Sequence, residues 1–231
     1  VALGYFDGLH IGHQTVVRRA VEKAEEKGLV PALFTFRLPE ESRIKGPRLL
    51  STERKHQRAA GLGVELYMAP DFKEFCGFSP EEFVEKILID CYHAKEVFCG
   101  ENFTFGSKKS GNVKVLAQLC AQKGIGVTVL PLLEYEGQPV SSTRIRKALE
   151  DGEVELANAL LGAPYQIDFP VRRGKGLGHT LGFPTINQHY PAGFQTPREG
   201  VYITRTWVDG VWYPSATGYG TRPTVNGVLP T

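Results

Sequence analysis

Gly4-Tyr5-Phe6-Asp7-Gly8-Leu9-His10-Ile11-Gly12-His13 places two imidazoles where an apolar segment turns into a helix. Val1-Ala2-Leu3 before it reads as the end of a buried strand. Over residues 14–27, Val16, Val17, Ala20, Val21 and Ala24 recur at helical spacing. The histidines therefore sit on a strand-to-helix turn. A helix start offers unpaired backbone N–H groups and the positive end of the dipole, and Gly8 and Gly12 let a ligand approach the backbone closely. An anion suits such a turn better than a metal, because no third His, Cys or carboxylate stands nearby at a recognisable ligand spacing. Two histidines alone, however, read better as capping or core residues. Support has to come from elsewhere in the chain.

It comes from Val140-Ser141-Ser142-Thr143-Arg144-Ile145-Arg146, which puts hydroxyls at a second helix start and two arginines on its first turn. By itself this too is ordinary N-capping. Together the two motifs resemble the HxGH and SSTxxR signatures of the nucleotidyltransferase superfamily, whose members join a nucleotide to a phosphorylated acceptor and release pyrophosphate. The longer GxFDGxHxGH form, the stretch Cys99-Gly100-Glu101-Asn102-Phe103-Thr104-Phe105-Gly106 and the run from Ser141 to Leu149 are similar to the FAD synthetase module of bacterial bifunctional riboflavin kinase/FMN adenylyltransferases. The resemblance implies catalytic roles for His10, His13 and Arg146. It implies nucleotide contacts from Gly4, Phe6, Asp7, Gly8, Gly12, Ser141, Ser142, Thr143 and Arg144, and a flavin side formed by Asn102, Phe103 and Phe105. Core packing is the competing reading for both phenylalanines.

After Leu161-Gly162 the texture changes. Helical periodicity stops, residues 163–231 hold eight of the 15 prolines, and short runs such as Gly200-Val201-Tyr202-Ile203-Thr204 and Gly210-Val211-Trp212-Tyr213 suit strands between turns. Net charge divides at the same place, −1 for residues 1–162 and +3 for the remainder. The expected architecture is α/β: an N-terminal doubly wound parallel sheet over 1–162, then a C-terminal all-β barrel over 163–231. Gly182-Phe183-Pro184-Thr185-Ile186-Asn187 resembles the GFPTxN motif of riboflavin kinases, which implies Thr185 and Asn187 as contacts to Mg²⁺ and the ATP phosphates. Gly174 and Lys175 lie in a basic, glycine-rich segment that could wrap phosphate, and Arg222 falls in a G-x-RPT segment that the resemblance puts at the flavin. In that family the kinase module continues into a strand bearing a catalytic glutamate. No Glu follows Glu199, so this domain is expected to be incomplete at Thr231, and Val1 to begin inside a strand. The Pro-His-Pro element usual in the family after the strand ending near Phe36 is missing.

Strands are expected over 29–36, 63–68, 96–99 and 125–130, and helices over 112–123 and from Ser79-Pro80-Glu81-Glu82, a capped start leading into Phe83, Val84, Ile87 and Leu88. Gly106-Ser107-Lys108-Lys109-Ser110-Gly111 has the glycine spacing of a P-loop, but Asn112 and Val113 stand where Lys and Ser/Thr belong. Lys108 and Lys109 therefore read as a solvated turn. Cys76, Cys91, Cys99 and Cys120 show no CxxC spacing and read as buried free thiols. A chain 42% hydrophobic and 23% charged, with a net charge of +2, is ordinary for a cytoplasmic globular protein. Its apolar runs fall far short of the ~20 residues that a membrane span needs, and no signal peptide is visible. No basic, aromatic-rich patch points to nucleic acid. The expected partners are therefore small molecules: riboflavin, FMN and ATP, with Mg²⁺ as cofactor and FAD as product. Self-association stays open. Two rivals remain. Another nucleotidyltransferase, such as a pantetheine-phosphate adenylyltransferase or a cytidylyltransferase, would share the first two motifs without needing the third. A flavin or nucleotide sensor would bind without releasing pyrophosphate.

Overall fold

The computed structural model describes residues 1–39, 42, 44–174, 180, 182 and 185–220. In chain order its elements are β1 (Ala2–Leu3), α1 (Ile11–Lys27), β2 (Ala32–Phe34), α2 (Thr52–Ala60), β3 (Leu66–Met68) and α3 (Phe72–Phe75). Then come α4 (Pro80–Glu82), running on as a π-helix over Phe83–Cys91, β4 (Glu96–Gly100), β5 (Thr104–Phe105), β6 (Gly111–Asn112), α5 (Val113–Gln122) and β7 (Gly126–Leu130). The chain continues with β8 (Glu134–Tyr135), β9 (Gln138–Pro139), α6 (Ser142–Asp151), α7 (Val154–Leu161), β10 (Val171–Arg172), β11 (Asn187–Gln188), β12 (Gly200–Val208) and β13 (Val211–Tyr219).

Five strands make one parallel sheet in the order β3-β2-β1-β4-β7. Alternate residues along each central strand face opposite layers. Ala2, Leu33 and Phe98 join Val16, Val17, Ala20 and Val21 of α1 on one side, while Leu3, Phe34, Val97 and Cys99 join Phe83, Val84, Ile87, Leu88 and Leu116 on the other. Both faces are covered, as a doubly wound sheet requires. A third cluster packs Leu49 against Ile145, Leu149, Leu160 and Leu161 of α6 and α7. The strand order reverses beside β1, and in such sheets the crevice at the carboxyl ends of the strands at that reversal is where ligands bind. β1 feeds directly into the His10–His13 turn.

The Ser79 cap forms as its sequence predicts: its hydroxyl accepts from the Glu82 N–H at 3.2 Å and its own N–H donates to the Glu82 carboxylate at 2.9 Å. The apolar residues that follow are buried, but on a π-helical winding rather than an α-helical one. One expectation about cysteine fails. Cys99 and Cys120 are buried, whereas Cys76 and Cys91 are exposed, because they fall at the ends of helical segments outside the core; all four are free thiols.

Beyond α7 the described strands are antiparallel. β10 pairs with β11, and β12 with β13 through an Asp209-Gly210 turn in which both residues have positive φ, the geometry of a two-residue hairpin. These are two separate two-stranded sheets, so the region has β character without a closed barrel among its described residues. It meets the first sheet's domain along the segment around Arg48. The Arg48 N–H donates to the Gly193 carbonyl at 2.7 Å, the Gln195 N–H donates to the Arg48 carbonyl at 2.9 Å, and Arg54 pairs with Asp168 at 3.2 Å.

Candidate active site

The turn after β1 is held in a conformation that ordinary residues avoid. Phe6 (φ 53°) and Leu9 (φ 42°) adopt left-handed backbone although neither is glycine, and both are fully enclosed in the core. Gly8 (φ 76°) is needed twice over, since a Cβ there would also stand 2.8 Å from the Leu49 side chain. Gln14 ties the turn to α7 by donating to the carbonyls of Leu9 and Leu161 at 3.0 and 2.9 Å.

α1 starts at Ile11, three residues before the apolar periodicity begins, because His10 is its cap: the His10 Nδ1 accepts from the His13 N–H at 3.2 Å. The two rings stack, with centroids 3.5 Å apart and planes inclined by 17°, and Phe6 and His13 meet in a T-shaped contact with centroids 5.2 Å apart. Burial lowers the pKa of His10 to about 4, and burial together with the neighbouring His10 pushes that of His13 well below its ordinary value. Both imidazoles are therefore neutral at neutral pH. With Nδ1 accepting, the His10 proton resides on Nε2. The His13 Nδ1 is enclosed without a hydrogen-bond partner among the described residues.

The second corner meets the first at Asp7. Ser141 caps α6 by accepting from the Arg144 N–H at 3.2 Å, while the Ser142 hydroxyl donates to the Asp7 carbonyl at 2.9 Å. Asp7 is 3% exposed; its carboxylate accepts from the Leu49 N–H at 3.0 Å and from Arg146 at 2.5 Å. Burial pushes this carboxyl up, and Arg146, the Leu49 N–H and Lys55 pull it back. Arg146 also donates through Nε to the Pro47 carbonyl at 2.7 Å. The two arginines of the motif thus diverge. Arg146 reaches the histidine-bearing turn, whereas Arg144 is engaged by the carbonyls of Tyr135 and Gln138 at 2.8 and 3.0 Å. Thr143 is exposed, and Gly12 lies against the His10 ring.

Other cations surround the stack. Lys45 lies 5.7 Å from the Tyr5 ring centroid, and its pKa is lowered by burial and by the charges of Lys109 and Arg146. Lys109 is solvent-exposed, as its turn predicts, yet its charge bears on this site. Lys55 and Arg48 escape the motif reading. The α2 sequence is strongly polar, and the available signal is the inward spacing of Lys55 with Ala59.

On the flavin side of the expectation, Phe103 and Phe105 stack at 5.8 Å; Phe105 is buried against Phe83 and belongs to the core, while Asn102 is exposed. In the β region Gly174 backs directly onto Asn187, where a Cβ would collide with the side-chain amide, and Thr185 is exposed two residues away. Lys175 and Arg222 lie outside the described residues.

A parallel sheet whose reversal point carries a stacked histidine pair, a hydroxyl-rich helix start and a ring of cations defines an α/β domain of the nucleotidyltransferase class. A family model described as FAD synthetase matches residues 1–144, and one described as riboflavin kinase matches residues 161–230. The chain is 38% identical to the bifunctional riboflavin kinase/FMN adenylyltransferase of Bacillus subtilis, over 97% of this chain and 72% of that protein. It is 33% identical to the protein of the same name from Haemophilus influenzae, over 99% and 76%. A crystal structure of a Streptococcus pneumoniae protein named as a macrolide-efflux protein superposes with a TM-score of 0.84 at 30% identity, covering 98% of this chain and 75% of that one. Among the described residues of this chain no helix is long and apolar enough to cross a membrane. The chain belongs to the bifunctional riboflavin kinase/FMN adenylyltransferase family, transferases of flavin cofactor biosynthesis.

Proposed function

We propose that residues 1–162 transfer the adenylyl group of ATP to FMN, giving FAD and pyrophosphate, and that residues 163–231 belong to a riboflavin kinase β-barrel that makes the FMN. The observation that carries the first assignment is the neutral His10–His13 stack at the start of α1, with His10 buried and within reach of the Arg146 charge. The FMN phosphate attacks the α-phosphorus of ATP in line, the bond to the pyrophosphate oxygen breaks, and no protein nucleophile is needed. The protein's task is to position two anions and stabilise growing negative charge. His10 donates from Nε2–H, with His13 beside it. As neutral donors they strengthen as charge grows on the phosphates, which favours the transition state over the bound substrate. Arg146 clamps the departing pyrophosphate.

Gly4, Gly8, Gly12, Ser141, Ser142, Thr143 and Arg144 form the nucleotide side of the site, with Phe6 and Asp7 behind it acting through their protein partners. Asn102 and Phe103 form the flavin side, with Phe105 stacked behind Phe103 from the core. In the kinase, Gly174 and Lys175 lie along the phosphates and Arg222 at the flavin. The neutral oxygens of Thr185 and Asn187 fit a hard cation that brings phosphate ligands of its own, and Mg²⁺ held there would neutralise charge on the ATP phosphates. The enzyme is assigned to the cytoplasm, with riboflavin, FMN and ATP as its partners. The test is chromatographic detection of products after incubation with ATP, Mg²⁺ and FMN. FAD and pyrophosphate are expected; flavin binding without pyrophosphate release would identify a sensor instead.

A further inference from the structure

Lys55 is 7% exposed, on the inward side of α2. Its ammonium donates to the Tyr5 carbonyl at 2.9 Å, lies 3.3 Å from the Thr35 hydroxyl and stands 4.6 Å from the Tyr5 ring centroid. It lines a cavity of about 30 Å³ together with Tyr5, Asp7 and Arg48. Neutral acceptors satisfy its hydrogen bonds but not its charge, and an uncompensated buried charge is strongly unfavourable. The carboxylate that answers it is Asp7, which already holds Arg146. The half-buried Arg146, by direct contact, and the buried Lys55, through its charge, thus act on one carboxylate. The second cation becomes necessary once the first departs. If Arg146 moved to the phosphates with no Lys55 behind, Asp7 would be left buried with a single Leu49 N–H for compensation. Arg146 would then be trapped on Asp7.

We propose that Lys55 is a positioning residue for adenylyl transfer: it is the standing counter-charge that keeps Asp7 ionised and in place when Arg146 is released to the phosphates. This rests on the assignment of Arg146 to phosphate binding above. Burial lowers the Lys55 pKa to about 8, and the Asp7 charge opposes that shift, so the ammonium remains charged at neutral pH.

The test compares kcat/KM for ATP, and KM for FMN, in Lys55→Gln, Lys55→Arg, and Lys55→Gln combined with Asp7→Asn. Gln keeps a hydrogen-bond donor on a side chain one atom shorter and removes the charge, whereas Arg keeps the charge with a different shape, so the two together separate charge from packing. We expect Lys55→Gln to lose ~10- to 100-fold in kcat/KM for ATP with KM for FMN unchanged. Lys55→Arg should recover to within about threefold of the wild type. Adding Asp7→Asn to Lys55→Gln should raise the activity, because the trap is gone. A Lys55→Gln enzyme within about twofold of wild type, or a double variant no more active than Lys55→Gln, would overturn the proposal. Arg146→Ala separates the two levels. If wild type makes FAD and Arg146→Ala does not, the Lys55 variants decide the role of Lys55 by themselves; if Arg146→Ala matches wild type, the phosphate role of Arg146 fails and takes the Lys55 proposal with it.

Discussion

At the β1–α1 corner His10 is 5% exposed and its neighbours Phe6, Asp7 and Leu9 are buried, whereas along β12 Ile203 is fully exposed and Val201 is 80% exposed. The first corner is fastened from four directions: Leu49, Ser142 and Arg146 on Asp7, and Gln14 on Leu9. The candidate kinase residues Gly174 and Asn187 instead flank or occupy the two-residue strands β10 and β11, and Thr185 is exposed. The contrast separates two ways of presenting the proposed anion-binding groups. One builds donors into a core, where burial fixes their protonation state; the other carries them on a β segment with little of its own core.

The contrast can be broken by stability measurements. Phe98→Ala, at a fully buried position of β4 beside β1 and packed against α1, should destabilise by ~3–5 kcal/mol in denaturant unfolding. A loss under about 1 kcal/mol would mean that the sheet does not fasten the corner.

Acid provides the next effect. The folded pKa of His10, about 4, lies below its ordinary 6.5, so between those values the unfolded chain binds the extra proton. Its contribution is fully present above pH 6.5 and is lost as pH falls towards 4, on the order of 3 kcal/mol in all. His13 adds in the same direction. Unfolding free energies of wild type and His10→Asn should therefore converge as pH drops from about 7 to about 4.5; parallel curves would show His10 to be solvated.

Smaller still, Ser141→Ala removes the α6 cap and should cost about 1 kcal/mol. Ile203→Thr, at a fully exposed site, should stay within about 0.5 kcal/mol. A large loss at Ile203 would show that the hairpin has a covered face.

Much of the corner is legible in the sequence because its chemistry is local. The glycines, the histidines and the hydroxyl run each announce a helix start, and the apolar alternation of Ala2-Leu3 and Leu33-Phe34 places a sheet with both faces covered. Apolar periodicity alone sets the start of α1 three residues late, because a histidine, not Ser, Thr, Asp or Asn, provides the cap. The divergence of Arg144 and Arg146 is not legible, since it depends on carbonyls of β8, β9 and Pro47 that tertiary folding brings near. Lys55 is hidden for the same reason: within a polar helix, only the approach of Tyr5, Thr35 and Asp7 distinguishes it from the exposed charges beside it.

The central claim is that the neutral, stacked histidines at the start of α1 stabilise the transferring phosphates. The most direct measurement is His13→Ala, with ATP binding followed by calorimetry and FAD formation by chromatography on the same preparation. The account predicts nucleotide affinity close to wild type and a turnover lower by ~10²- to 10³-fold. Near-normal FAD formation by this variant would contradict it.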